Sequence, residues 1–344
     1  MMSIQVIGID LGKSNFHLVG HDHKGQAVLR KKLSRQQLVQ FVQNTPVSTI
    51  AFEACGGAHW LGRLCMSNGH TVKLLPPQYV KPYVKGNKND FIDADAIAEA
   101  ATRPSMRYVP VKSEEAQLLS AIHRIRHGYI KDRTACMSRI GALLLEFGVS
   151  FPQGHSVMKT LPAWLAIHAR HLPILIQNEL LGLHQHYQAL MLKVAEQDSK
   201  LKRYLAQNED AQLLKSIPGI GDITASQCIA ELGNGSQFHN GRNLAAWLGL
   251  VPHQHSTGGK TRLLGISKRG NKHLRTLFIH GARAILSRPE KTGAVFGSWL
   301  TQLRASKPFN VVCVALANKL ARMVWAVLKY RQGFNAAKLQ SGCA

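Results

Sequence analysis

Apolar residues in the first hundred positions come in short runs bounded by turn-forming residues. IQVIGIDLG (4–12) is one such run, broken by glycine and carrying Asp10 near its end, and it reads as a buried strand. NFHLVGHDHKGQAVLRKKLS (15–34) reads as two more strands about a His23-Lys24-Gly25 turn. SRQQLVQFVQNT (34–45) places Leu38, Phe41 and Val42 at helical spacing behind a Ser34 cap. STIAFEACGG (48–57) is a second apolar run, closed by the acid Glu53. LGRLCMSNG (61–69) is helical and HTVKLLPP (70–77) strand-like. Three strands, helix, strand, helix, strand is an α/β layout whose second half forms βαβ units.

From 113 to 149 the period changes. Ser113 precedes Glu114-Glu115, a helix N-terminus signal. Leu118, Ile122, Ile125, Tyr129, Met137, Ile140, Leu144 and Phe147 follow at helical spacings, and Gly148 makes a stop. A second long helix is expected from about Leu172 to Gln207, with a Gly/Pro-bearing connector at 148–162. The pair predicts an antiparallel coiled-coil arm; two helices buried in a bundle fit the pattern almost as well. Residues 211–330 read as mostly helical. Within them LLKSIPGIGDITASQCIAELG (213–233) predicts helix, Pro-Gly-x-Gly hairpin, helix. In such a helix-hairpin-helix, Gly219 and Gly221 let the backbone approach a phosphate near the helix start at Asp222, without reading sequence. A plain scaffold role is the alternative. The expected divisions are 1–112, 113–208 and 209–344.

Charge adds a partner to this outline. The 344 residues carry 43 Lys and Arg against 19 Asp and Glu, a net charge of +24. Such an excess favours nucleic acid, through counterion release from its phosphates. From Gly233 onward there are seventeen Lys and Arg and one acid, Glu290, so this third is expected to face the polyanion. Cys55, Cys65, Cys136, Cys228, Cys313 and Cys343 form no CxxC pair and read as reduced thiols. MMSIQVIGIDLG lacks the pattern of a signal peptide, and the sequence predicts no apolar stretch reaching the ~20 residues that span a bilayer. The expectation is a cytoplasmic, nucleoid-associated protein without a membrane partner.

Against this basic background, GNKNDFIDADAIAEA (86–100) holds four acids: Asp90, Asp93, Asp95 and Glu99. Asp90 and Asp93 share a helix face, and the βαβ layout brings them toward Asp10 and Glu53. Four carboxylates in one cleft repel unless cations separate them, and hard oxygen donors suit Mg²⁺ or Mn²⁺. Paired ions of this kind stabilise phosphoryl transfer. The pattern equally fits an Asp90 N-cap, an Asp10 turn and a solvated helix face; Asp95, two residues beyond Asp93, is expected to be solvated. A second basic segment, HQHSTGGKTRLLGISKRG (253–270), reads as a phosphate-binding loop bearing Lys260, Arg262, Lys268 and Arg269.

VIGIDLGKSNFHL, FEACGGAHW, KGNKNDFIDADAIAEA, IPGIG and PHQHSTGGKTRLLGISKRGNKHLR together resemble the DEDD transposases. These are insertion-sequence recombinases related to the Piv DNA invertase, in the family numbered one hundred ten, and STGGK is similar to its eleven-eleven subgroup. The resemblance spans nearly the whole chain. It implies a ribonuclease-H-like domain similar to that of the junction resolvase RuvC, then a coiled-coil insert and a C-terminal transposase domain. It places the four family acids, which bind metal, on Asp10, Glu53, Asp90 and Asp93. It implies a serine nucleophile at Ser256, with Thr257 one residue away as the other register. It also implies donor and target DNA, a guide non-coding RNA, and dimers that assemble to a tetramer in which acids and serine meet across subunits. A RuvC-like junction nuclease would need the acids but not Ser256, and a non-catalytic nucleic-acid-binding protein would need neither.

Overall fold

The computed structural model describes residues 4–87, 89–152, 154–288, 290 and 294–337. Packing divides the chain into two units, Met1–Gln117 and Leu118–Ala344. The first is a mixed α/β layer. Its strands are β1 (Val6–Leu11), β2 (Asn15–His21), β3 (Ala27–Ser34), β4 (Thr49–Glu53) and β5 (Thr71–Leu75), in sheet order β3-β2-β1-β4-β5. The β1-β2 and β2-β3 pairs are antiparallel, whereas β1-β4 and β4-β5 are parallel. The helices are α1 (Arg35–Asn44), α2 (Ala58–Ser67), the short α3 (Pro77–Val80) and α4 (Asp90–Ala101). Ser34 caps α1 in a reciprocal capping box with Gln37.

Alternation along the strands sorts the two faces. Ile7, Ile9, Leu18, Ile50 and Phe52 join Leu38, Val42 and Leu61 of α1 and α2 in one core. Val6, Ala51 and Leu75 join the alanines of α4 in the other. Gly8 sits on the α4 face, where a Cβ would run into the Ala94 carbonyl oxygen and lie 2.6 Å from the Ala98 nitrogen. Only glycine permits so close a helix-to-strand approach.

In the second unit, α5 (Glu114–Glu146, whose first turn belongs to the first unit) and α8 (Ile174–Ala206) run antiparallel. Arg126 bonds Asp198, Arg133 donates to the Met191 sulfur, and Cys136 donates to Leu183 O. Two short helices, α6 (His155–Lys159) and α7 (Leu161–His168), lie between them and close the cluster around Ile140, Leu144, Leu161 and Leu180. The buried stripe of α5 runs through Leu119, His123, Cys136, Ile140 and Leu144. It differs from the expected one, because Leu118, Ile125 and Phe147 are exposed and His123 is buried. His123 accepts or donates a 2.9 Å bond with Ser226 Oγ, and burial drives its pKa down to about 3, so it stays neutral in the interior.

The remainder holds α9 (Glu209–Lys215), α10 (Asp222–Leu232), α11 (Gly241–Trp247), the hairpin strands β6 (Pro252–Thr257) and β7 (Lys260–Ile266), α12 (Lys272–Leu286), α13 (Gly297–Ser306) and α14 (Phe309–Tyr330). Helices α9 to α14 share one core through Leu214, Leu244, Phe278, Leu316 and Leu320. α14 corrects the hydropathy reading. It is long and apolar enough to cross a membrane, with mean hydropathy 1.7, yet its Val312, Leu316, Leu320 and Val324 lie in this core. Among the described residues Cys55, Cys65, Cys136, Cys228 and Cys313 are free, and burial pushes the Cys65 thiol up to about 12. Cys343 lies outside the described residues.

Candidate active site

Strand register decides what surrounds Asp10. On β1, Val6, Gly8 and Asp10 alternate onto the α4 face. Asp10 is paired across the β1-β2 hairpin with His17, so the two side chains share that face. In the parallel β1-β4 pair Ile9 lies opposite Phe52, which sets Glu53 beside Asp10 at the strand ends. Above this face α4 begins at Asp90, with Asn89 as its N-cap, accepting from the Phe91 N–H. Asp90 and Asp93 occupy its first turn, where the exposed N–H groups favour negative charge.

The result is a cluster rather than four scattered acids. Carboxylate oxygens of Asp10 and Asp90 and a ring nitrogen of His17 lie within 4.8 Å of one another, and His17 Nδ1 is 3.3 Å from Asp90 Oδ2. Glu53 has its carboxyl pushed above the usual range by burial first, then by the charges of Asp10 and Asp93. Glu53 thus feels the charges of Asp10 and Asp93, and a cation nearby would relieve that repulsion. Oxygen donors with one imidazole suit a divalent ion such as Mg²⁺ or Mn²⁺. The side chains whose ligand atoms are close enough to share one ion are Asp10, His17 and Asp90, with Glu53 and Asp93 tied to them only through the charge felt at Glu53.

The other two acids of 86–100 have structural partners. Asp95 is not the solvated side chain expected from its spacing: its Oδ1 lies 2.7 Å from Nε2 of the buried His21. Glu99 bonds Lys85 at 2.9 Å and Arg103 at 2.6 Å, and these cations hold its carboxyl below the usual range.

The basic segment 253–270 is a β-hairpin, not a loop. Gly258 and Gly259 both take positive φ, the geometry of a two-residue turn that matches strand twist. Ser256 is exposed, lies opposite Thr261, and its Oγ accepts a 2.7 Å bond from Gln254 Nε2. Thr257, Lys260 and Arg262 share the exposed tip. Lys268 and Arg269 stand at the stem, with Lys268 in the left-handed region at φ 54. Arg275, buried beneath them, donates to Leu248 O at 2.9 Å and to Arg269 O at 2.7 Å. A Cβ on Gly270 would strike the Trp247 carbonyl oxygen, so the stem is locked by close backbone approach.

At the helix-hairpin-helix, Gly219 faces inward: a Cβ there would lie 2.8 Å from Gly281 O of α12. Gly221 is exposed and caps α10, and Lys215 spans the turn to Asp222 at 2.8 Å. His17 and Arg275 are the site residues that the sequence reading omitted. The signal for His17 was the hairpin register, which sets it opposite Asp10.

Comparison with known proteins agrees with an acid-bearing α/β unit followed by a basic helical one. A family model described as "Transposase", of the DEDD IS110 type, matches residues 7–149, and one described as "Transposase IS116/IS110/IS902 family" matches residues 211–296. The chain is 45% identical to the transposase for insertion sequence element IS1328 of Yersinia enterocolitica, covering 95% of this chain and 97% of that one. It is 42% identical to the transposase for insertion sequence element IS1111A of Coxiella burnetii, over 97% and 92%. The pilin gene-inverting protein of Moraxella bovis is 23% identical over 97% and 98%. These likenesses define a DNA transposase. The chain belongs to the IS110/IS116/IS902 family of insertion-sequence transposases.

Proposed function

We propose that this protein cuts and rejoins donor and target DNA at a centre built from Asp10, Glu53, Asp90 and Asp93, with Ser256 as nucleophile. The gathering of those carboxylates at the β1 and β4 ends under the first turn of α4 carries the proposal. The strand order β3-β2-β1-β4-β5, two antiparallel pairs then two parallel ones, supports reading 1–112 as ribonuclease-H-like and similar to RuvC. The four acids would hold Mg²⁺ or Mn²⁺, which when bound supplies charge neutralisation at the reacting phosphate oxygens. His17 holds the Asp90 carboxylate in place.

At the hairpin, Gln254 donates to Ser256 Oγ, which directs the hydroxyl hydrogen elsewhere, toward a base or a phosphate oxygen. In the step proposed, a bond forms between Ser256 Oγ and phosphorus. The bond from phosphorus to the leaving DNA oxygen breaks, and that oxygen takes up the proton the serine gives away. Lys260 and Arg262 hold the phosphate from the tip, and Lys268 and Arg269 track the backbone from the stem. Gly221, at the start of α10, offers a further backbone contact with nucleic acid, while Gly219 sets the turn.

The proposal includes assembly and a guide RNA. The β6-β7 hairpin is exposed on both faces, and an isolated two-stranded hairpin is marginal in water. Ile174, Leu175 and Leu192 of α8 are exposed as well. Both features support a homo-oligomer, a dimer assembling to a tetramer, in which the arm (113–208) joins subunits and the transposase domain (209–344) presents the serine. The basic C-terminal third is suited to holding backbone, so pairing between a guide RNA and DNA would carry sequence.

Denaturing electrophoresis after incubation with substrate DNA, guide RNA and Mg²⁺ tests the serine step. A covalent protein–DNA band is expected, absent in Ser256→Ala, with the phosphonucleotide mapped to Ser256. An adduct on Thr257 would move the nucleophile by one residue. Free cleaved DNA that persists undiminished in Ser256→Ala would favour the metal-dependent nuclease instead.

A further inference from the structure

A cavity of about 510 Å³ opens in the second unit between the start of α11, the last three turns of α14 and the segment 332–335. Its size is in the range of small-molecule sites. Three cations, Arg242, Lys319 and Arg322, and three aromatics, Trp325, Tyr330 and Phe334, line it. Neither Asp nor Glu lines it, and neither arginine has an ion-pair partner among the described residues. This is unusual, because uncompensated charges that close together repel.

The cavity is built rather than incidental. Trp325 is fixed by its indole N–H, which donates to Phe238 O at 3.1 Å. Tyr330 stands edge-on to it, with ring centroids 6.0 Å apart. The far wall is pinned by the Phe334 N–H donating to Ser216 Oγ at 2.8 Å. Gly241 lets α11 meet α14, since a Cβ there would come within 2.9 Å of Arg322 Cα. Lys319 has its ammonium 4.4 Å above the Trp299 ring, and burial first, then the charge of Arg322, lowers its pKa from the usual lysine value.

We infer that this cavity holds one unpaired nucleotide of a single strand, its base against Trp325, Tyr330 and Phe334 and its phosphate among Arg242, Lys319 and Arg322. Aromatic faces and cations in one recess are the two elements by which proteins hold unstacked nucleotides. The excess positive charge selects an anion, and the aromatic walls select a planar ring beside it. A purely apolar ligand would leave the two arginines unanswered. The inference rests on the reading of the chain as a nucleic-acid recombinase, whose substrates must open into single strands while strands are exchanged.

The test uses the full chain and a fluorescent single-stranded oligonucleotide, in deoxy and ribo forms of one sequence, with 5-iodouracil at a central position. Photocrosslinking is expected to label a peptide within 319–337. Tyr330→Ala, at a ring that is 63% exposed, should bind about tenfold more weakly with the salt slope unchanged. Arg242→Gln, also at an exposed position, should bind with a slope shallower by about 0.7, the value for one phosphate contact on a single strand. A loss confined to the deoxy or the ribo strand identifies which strand occupies the cavity, and an equal loss in both shows that base and phosphate alone are recognised. Crosslinks elsewhere, with both variants binding as the wild type does, would overturn the inference and leave the recombinase reading standing. A wild-type chain that binds neither oligonucleotide nor duplex would overturn both.

Discussion

At the residue scale, the positions of the four acids followed from pattern: strand ends for Asp10 and Glu53, the first turn of a helix for Asp90 and Asp93. That of His17 did not, because its place depends on the β1-β2 register. Asp95 was misread because spacing does not show which sheet residue faces a helix, here His21. Glu53 gives the sharpest residue-scale prediction. Its carboxyl is raised, so between the ordinary and the folded pKa the folded protein holds a proton that the unfolded chain has lost. Stability therefore falls as pH rises through that window, and the full cost remains above it. Glu53→Gln removes the charge. Without divalent cations it should melt above the wild type at about pH 8, and the two should converge below about pH 4. Equal melting temperatures at the higher pH would contradict the crowding of Glu53 with Asp10 and Asp93. Wild type alone should gain melting temperature when Mg²⁺ is added.

At the element scale, position depends on close approach. Gly8 lets α4 lie against β1 and so brings Asp90 toward Asp10. Gly8→Ala should cost about 1–3 kcal/mol by overpacking and also lower recombination, because the helix must shift away. Urea unfolding with a strand-transfer assay checks both. Gly182→Ala on α8, exposed and with nothing near its added Cβ, is the matched control and should stabilise by up to about 1 kcal/mol. A Gly8→Ala protein as stable and as active as the control would refute the close-packing argument. The sequence showed the strands of the sheet, α1 and both long helices, since their apolar spacing is regular. It hid the β6-β7 hairpin, whose strands bury almost nothing and so carry no alternation. Of the α5 stripe it showed Ile140 and Leu144 as buried and Ile122, Tyr129 and Met137 as packed against the core, but it included the exposed Leu118, Ile125 and Phe147 and missed His123, because a buried histidine looks polar on paper.

At the scale of the whole molecule, charge is unevenly distributed. Basic residues dominate the chain, while four of its 19 acids gather at one end of one sheet. Helices α5, α8 and α10 meet within one packed unit, where Leu119, Leu201 and Ala230 join. Sequence periodicity describes each helix but not which helices share a core, so this joining was not legible. The proposed function requires the acids to act on DNA that other residues hold. The most direct measurement is strand transfer by Asp10→Asn, a change that keeps size and removes charge, with DNA and RNA binding measured on the same preparation. Recombination below detection is expected, with binding within about twofold of wild type, since the basic surface proposed to govern affinity is untouched. Recombination at the wild-type rate in Asp10→Asn would contradict the proposed function.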